Sequence, residues 1–174
     1  MKRAIQFFCF CLLMGEVVFA VISCSQPIKN NKDMEKEAYK KTMNRLVEDV
    51  WNKQNLAILP EVFTENAVLH DGGTSEIGGQ DLKGIPDFRE NYMRNTMKAF
   101  PDIQHEVTDL FIDGNKIAMR FKGQGIHKGE FYGVAATNKM LRYEGIAIFK
   151  MEGNRIAEVW TNSNFGKHLA ALEK

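Results

Sequence analysis

The chain has 174 residues and an almost balanced charge, with 23 basic and 22 acidic side chains and a formal net charge of +1. A nucleic-acid-binding domain normally carries a clear basic excess, so this balance argues against a nucleic-acid partner. Without the leader described next, the length suits one compact domain with its own core.

The first 24 residues have the pattern of a bacterial lipoprotein signal. Lys2 and Arg3 precede an apolar run that ends at Cys24, and the last four residues of this segment, VISC, resemble a lipobox. We therefore expect residues 1–23 to be a cleaved signal peptide, Cys24 to be acylated, for example by palmitate, and residues 24–32 to form a flexible tether. The alternative is an uncleaved anchor helix. Both interpretations place the domain at a membrane outside the cytoplasm, in the bacterial cell envelope.

The three cysteines support this assignment. Cys9 and Cys11 lie in the leader, and the lipid would consume Cys24, so the mature chain has no thiol for a disulfide, a zinc site or a nucleophile. Cleavage of the leader also removes two basic side chains and one acidic side chain, so the mature domain is formally neutral.

The predicted domain, residues 33–174, begins with helices. Apolar residues three and four positions apart, with Asp33 as a possible N-cap, indicate the first of them. The predicted elements are helices over 33–54 and 55–63, a strand over 67–71, a helix over 82–100, two hairpins and a helix over 165–174.

The hairpins follow from a change of period from about 3.6 to two after Pro101. Asp113-Gly114 and Glu152-Gly153-Asn154 are turn sequences between alternating apolar and polar residues. Helices followed by consecutive antiparallel strands predict an α+β fold with the helices on one face of a curved sheet. A cavity between the two is the default ligand site.

Four stretches carry a family resemblance: FPD at 100–102, GxHxGEFxG at 125–133, EGIAIFK at 144–150 and IAEVW at 156–160. In this order and spacing they resemble the SnoaL-like polyketide cyclases, or ester cyclases, of the nuclear-transport-factor-two-like folds. The resemblance covers roughly residues 46–172. It implies a cone-shaped fold, a six-stranded, mostly antiparallel sheet wrapped around N-terminal helices, a deep central pocket and a homodimer.

The resemblance also implies a chemistry without metal or organic cofactor. A pocket carboxylate or histidine removes a proton next to a carbonyl, and the enolate closes a ring by an intramolecular aldol reaction. The carboxylate falls at position 164, where this chain has Asn164; an alignment shifted by two residues gives Asn162. Either amide can orient a carbonyl but cannot exchange a proton near neutral pH. Trp160 is expected to wall the pocket.

Other side chains could supply the missing base. His70, with Asp71 orienting its ring, is one candidate, and Glu144 is another if it faces inward. The structural alternatives are a turn hydrogen bond for His70 and cross-strand ion pairing for Glu144. His127, in the GxHxGEFxG motif, either contributes to the site or holds its loop.

Large side chains are expected to form the pocket wall, although plain core packing explains them equally well. They are Trp51, Phe63, Tyr92, Phe131, Phe149 and Trp160, with Asn162 and His127 as polar additions. Amides and tyrosines in an apolar cleft favour a small, uncharged carbonyl compound as ligand. The remaining histidines, His105 and His168, are expected to be exposed.

Three functions remain open from the sequence. The first is a cofactor-independent enzyme that cyclises, isomerises or hydrates a small apolar carbonyl compound. The second is a lipid-anchored module that only binds a small hydrophobic molecule, and the third is a protein-interaction subunit with a collapsed pocket. An inward-facing titratable group would favour the first over the other two.

Overall fold

The computed structural model describes residues 30–70 and 81–172. The predicted signal peptide, the acylated Cys24, most of the tether and Asp71 therefore lie outside the described residues. Within them, none of the helices has both the length and the apolar character needed to cross a membrane.

Helices occupy the N-terminal half and the C-terminal end. Their bounds are α1, Asn31–Asn44; a π-helical segment, Arg45–Asn52; a 3₁₀ turn, Leu56–Ile58; α2, Leu59–Val62; α3, Gly84–Asp87; a second π-helical segment, Phe88–Met93; α4, Arg94–Ala99; and α5, Phe165–Ala171.

Among the described residues, six strands form one sheet in the order β2-β1-β6-β5-β4-β3. Their bounds are β1, Phe63–His70; β2, Leu82–Lys83; β3, Gln104–Asp113; β4, Lys116–Ile126; β5, Met140–Glu152; and β6, Arg155–Ser163. All neighbouring strands are antiparallel except β1 and β6, which are parallel. The predicted α+β class, with a mostly antiparallel sheet, is confirmed.

Several predicted boundaries are wrong. The first helix is capped by Asn30, whose Oδ1 accepts a hydrogen bond from the Asp33 amide at 2.8 Å, so Asp33 lies inside the first turn. The first strand starts at Phe63, four residues earlier than its alternation indicates. The helix expected from residue 82 is preceded by the two-residue edge strand β2.

The sheet has an inner face, which carries the helices, and an outer face. The inner face presents apolar side chains such as Met119, Ala147 and Phe149, which pack against Met43 and Val47 of the first helical stretch. A second cluster at one end of the sheet joins Phe100, Phe131, Leu141, Phe165 and Leu169. Burial of these side chains supplies most of the stabilisation of the domain, at about 25 cal/mol for each Å² of apolar surface removed from water.

Candidate active site

A cavity of about 90 Å³ lies between the helices and the inner face. Its wall is formed by Leu46, Val47, Trp51, Phe63, Leu69, Phe88, Tyr92, Met93, Thr96, His105, Met119, Phe121, Phe131, Tyr143, Ala147, Phe149, Val159, Thr161 and Phe165. None of these described lining residues is an aspartate, glutamate, lysine or arginine. The cavity is therefore suited to an uncharged molecule, because an unpaired charge in such surroundings would lose its hydration without compensation.

Five of the side chains singled out in the sequence lie in this wall: Trp51, Phe63, Tyr92, Phe131 and Phe149. They come from different elements, which meet only in the folded chain. Trp51 and Tyr92 pack edge to face, with ring centroids 5.6 Å apart. Phe63 packs in the same way on Phe88, at 5.3 Å. These contacts fix the shape of the apolar part of the cavity.

His105 and Tyr143 form a hydrogen-bonded pair in the cavity wall. The His105 Nε2 lies 2.6 Å from the Tyr143 hydroxyl, and the Trp51 ring packs against the imidazole with centroids 5.0 Å apart. The other ring nitrogen, Nδ1, is buried and has no hydrogen-bond partner among the described residues. A buried polar atom of this kind is a place where a ligand can supply the missing hydrogen bond.

Gly123 makes room for this pair. A Cβ atom at position 123 would overlap the Tyr143 ring, which lies across β4 next to His105. Any larger residue would push the tyrosine away from the histidine. The close approach therefore depends on glycine at this point of β4.

Burial lowers the pKa of His105 from 6.5 to about 4. The prediction that His105 is exposed is therefore wrong. Leu110 packs on the inner face, and simple alternation along β3 would turn His105 outward. The β3–β4 register shifts between Val107 and Asp109, however, and this shift brings His105 onto the inner face.

This pKa predicts a pH-dependent stability. Between about pH 6.5 and pH 4 the unfolded chain binds a proton at His105 and the folded chain does not, so the free energy of unfolding falls as the pH drops through this window. The expected loss is at most about 3 kcal/mol for a shift of this size, because His105 is only partly buried and solvent weakens the effect. Urea unfolding of wild type and His105→Gln at several pH values measures it. A difference between the two proteins that stays constant from pH 7 to pH 4 would contradict the neutral, buried histidine.

His70 lies on the outer face and does not line the cavity. Its Nδ1 is 3.1 Å from Asp81 Oδ2 and its Nε2 is 3.0 Å from Glu158 Oε2. Its ring stacks on Trp160, with centroids 4.7 Å apart and planes 12° apart. Hydrogen bonds to Glu158 from Lys150 and then from His70 hold the pKa of that carboxyl below its usual range. The arrangement is an ion-paired surface cluster.

Trp160 is consequently not the pocket wall that the sequence predicted. Ile156 faces inward, and simple alternation would place Trp160 on the same face. The β5–β6 register shifts between Lys150 and Met151, however, so that Val159 and Thr161 face the cavity and Trp160 faces outward. An irregularity of one residue exchanges the two faces of a strand.

The two asparagines of the predicted site lie elsewhere as well. Asn162 is exposed on the outer face. The Asn164 Oδ1 accepts a hydrogen bond from the Glu144 amide at 2.8 Å, which ties the start of α5 to β5. Glu144 itself is exposed and pairs with Arg120 at 3.3 Å. Asn164 and Glu144 line an open polar groove of about 400 Å³, which shares only His105 and Tyr143 with the cavity wall.

His127 is fully buried beside the second cluster and is not part of the cavity wall. Its ring stacks on Phe100 at 5.0 Å, and its Nδ1 lies 3.3 Å from the Thr137 hydroxyl. Its backbone also binds the far end of the same loop, through Lys139 and Asn138. The placement agrees with the loop-holding alternative. In the described part of the chain, no three histidine, cysteine, aspartate or glutamate side chains come close enough together to hold a metal ion.

Comparisons with known proteins agree with this fold. The family model described as SnoaL-like polyketide cyclase matches residues 41–172. The search among curated proteins found no match. Among solved structures, the proposed polyketide cyclase IdmH of Streptomyces antibioticus is 27% identical, with a TM-score of 0.66 over 78% of this chain and 98% of its own.

Two further solved structures share the fold at lower identity. The proposed SnoaL-like polyketide cyclase of Jannaschia sp. CCS1 is 16% identical, with a TM-score of 0.71 over 83% of this chain and 96% of its own. The proposed hydroxylase AclR of Streptomyces galilaeus is 23% identical, with a TM-score of 0.66 over 80% of this chain and 87% of its own. The different activities proposed for these proteins mean that the fold alone does not define the reaction.

Proposed function

The chain belongs to the SnoaL-like polyketide cyclase family, and from this membership we propose that it is a cofactor-independent enzyme that moves a proton next to the carbonyl of a small, uncharged substrate. The observation that carries the proposal is the His105–Tyr143 pair in a cavity whose described lining residues include no aspartate, glutamate, lysine or arginine. His105 is also the only histidine, aspartate or glutamate among the described lining residues.

The pair divides the chemistry between two groups. If Nε2–H of His105 donates to the Tyr143 oxygen, Nδ1 carries the free electron pair and can accept the proton from the carbon next to the carbonyl. The C–H electron pair then becomes the enolate, and the Tyr143 hydroxyl donates a hydrogen bond to the enolate oxygen. Return of the proton to a different atom gives isomerisation, and attack of the enolate on a second carbonyl gives cyclisation.

The lowered pKa of His105 is compatible with this role. At neutral pH the imidazole is uncharged and therefore able to accept a proton. A pKa of about 4 makes the empty site a weak base, but a developing enolate next to the ring would raise that pKa, because a negative charge stabilises the imidazolium. The base thus strengthens while the substrate is being ionised.

The test uses a simple probe, 2-tetralone, an uncharged bicyclic ketone with acidic hydrogens next to its carbonyl. The full chain, kept in a mild detergent, is expected to accelerate exchange of these hydrogens for deuterium in D₂O, followed by NMR. An exchange rate no higher than that of buffer with detergent would contradict the enzymatic function, provided that the ketone is bound. Binding is shown by quenching of the remaining Trp51 fluorescence in a Trp160→Phe variant at the same ketone concentration.

That second outcome defines the alternative function, a binding module for a small hydrophobic molecule. It is favoured by the amide at position 164, where the family resemblance places a carboxylate, and by the tie between Asn164 and the Glu144 amide. In that case Tyr143, His105 and the Thr96 and Thr161 hydroxyls would only orient the ligand.

We also propose that the domain is held at the outside of a bacterial membrane by a lipid on Cys24. Support comes from Lys2 and Arg3 before the apolar run and from the VISC sequence that ends at the cysteine. Cells that express the full chain are expected to incorporate labelled palmitate into it. Labelling that persists in a Cys24→Ser variant would contradict acylation at this residue.

A second copy of the chain is the proposed partner of the outer face. One row of paired residues crosses five strands of the outer face and consists of Phe111, Ala118, Ile148, Trp160 and His70. Phe111 and Ile148 are exposed, as is Ile146 in the next row. Ion pairs flank this apolar strip, Lys150–Glu158 on one side and Arg120–Asp109 on the other. An apolar centre with a charged rim is typical of a protein interface.

A further inference from the structure

We propose that Asn52 is a positioning residue that fixes His105 in the cavity wall; this inference rests on the proposed function of His105. Asn52 is the last residue of the π-helical segment Arg45–Asn52 and does not itself line the cavity. Its side chain is held against the backbone of His105 by two hydrogen bonds. The juxtaposition of these two residues, 53 positions apart in sequence, is created only by the fold.

The two hydrogen bonds form a closed pair. The His105 amide donates to Asn52 Oδ1 at 2.7 Å, and Asn52 Nδ2 donates to the His105 carbonyl at 3.0 Å. A carboxamide offers a donor and an acceptor side by side, which a carboxylate or a hydroxyl cannot do in the same geometry. Asn52 therefore contacts one residue of β3 in the way that a neighbouring strand would.

The topology explains why such a contact is needed. Within the described part of the chain, β3 is an edge strand of the sheet, with β4 on one side only. The N–H and C=O of His105 that bond Asn52 have no strand neighbour, and unpaired backbone groups at a half-buried edge leave the strand free to shift. The preceding residue is tied as well, since Gln104 Nε2 donates to the Asn52 carbonyl at 3.1 Å.

The same helical segment also fixes the ring. Trp51, next to Asn52, packs on the imidazole at 5.0 Å, while Asn52 holds the backbone below it. Adjacent residues thus control both the main chain and the side chain of His105. π-helical turns occur frequently at functional sites. The consequence is a defined position for Nε2 opposite the Tyr143 hydroxyl, at 2.6 Å.

The test compares Asn52→Ala and Asn52→Asp with a matched control, Gln104→Ala. The control removes a hydrogen bond between the same helix end and the same strand but leaves the Asn52–His105 pair intact. The first readout is the NMR titration of the His105 ring in the full chain. In Asn52→Ala, loss of the two Asn52–His105 hydrogen bonds is expected to open the site to water and to move the pKa of His105 from about 4 towards 6.5.

The second readout is the kinetics of 2-tetralone deuteration. A misplaced base should lower kcat by roughly 10- to 100-fold with a smaller change in KM. If Asn52→Ala does not fold, Asn52→Asp carries the test through kcat alone, because it keeps the acceptor for the His105 amide and loses the donor to the His105 carbonyl. Its negative charge would by itself raise the pKa of His105, so the titration of this variant does not enter the test. Folded variants whose His105 titration and kcat equal those of Gln104→Ala would overturn the proposal.

The two readouts separate this proposal from the proposed function. If the wild-type protein has no exchange activity, the proposed enzymatic function is wrong, and the His105 titration still decides whether Asn52 positions the ring. If the wild type is active and the Asn52 variants have the same His105 titration and kcat as the control, only the positioning role is wrong.

Discussion

Replacing His105 by glutamine is expected to lower the rate of 2-tetralone deuteration by roughly 10²- to 10⁴-fold, the range that a positioned acid–base group contributes. Glutamine is polar and similar in length, but it cannot accept a proton in this pH range. The variant also removes the group with the lowered pKa from the cavity. Its fold can be checked separately by its unfolding transition at pH 7.

Two further variants locate the base. Tyr143→Phe keeps the ring beside Gly123 and removes the hydroxyl that would stabilise the enolate, so a smaller loss, of about 10²-fold, is expected. His70→Gln tests the histidine that the sequence offered as a candidate base, which lies on the outer face against Trp160. If His70→Gln abolishes exchange and His105→Gln does not, the catalytic assignment made from the structure is wrong.

Most elements of the fold could be predicted because they leave a local pattern in the sequence. The apolar stripe of residues 33–54 and the Asp113-Gly114 turn are examples, and both correspond to observed elements. The edge strand Leu82–Lys83 leaves no such pattern. Its two residues pair with Val68 and Leu69. Whether so short a strand forms depends on its partner strand and not on its own sequence.

The candidate site was harder to predict because it depends on which face of each strand is turned inward. At Trp160 the alternation gave the wrong face, because the register shift opposite Met151 reverses the pattern near the start of β6. At His105 the register shift between Val107 and Asp109 has the same effect on β3, since alternation from the inward Leu110 would turn His105 outward. The bond to Tyr143, by contrast, joins two strands that are not neighbours and could not be read from either segment alone.

The family resemblance also led to a residue that this chain uses differently. Position 164 was expected to face the pocket, but the Asn164 side chain caps the Glu144 amide and belongs to the polar groove. A short side chain at the start of α5 can either reach into the cavity or bind the neighbouring strand. The choice depends on backbone geometry at the junction of β6 and α5, which residue identity does not determine.

The outer face gives the second large expected effect. Ile148→Glu should convert a dimer of the full chain into monomers, with the dissociation constant raised by about 10²- to 10⁴-fold. Burying one isoleucine contributes about 1.5–3 kcal/mol. A two-fold interface contains the residue twice, and an unpaired carboxylate in its centre adds a desolvation penalty. Each 1.4 kcal/mol changes the dissociation constant tenfold.

The measurement is analytical ultracentrifugation in a detergent matched to the solvent density, with micelles in large excess over protein. The matched control is Met34→Glu, which places the same charge on another exposed apolar residue, at the start of α1 and away from the sheet. A wild type that remains monomeric, or an Ile148→Glu variant that dimerises as well as Met34→Glu, would contradict the proposed interface. Because Ile148 and Trp160 point away from the cavity, a monomeric variant should retain its exchange activity, which would separate the role of the outer face from that of the inner one.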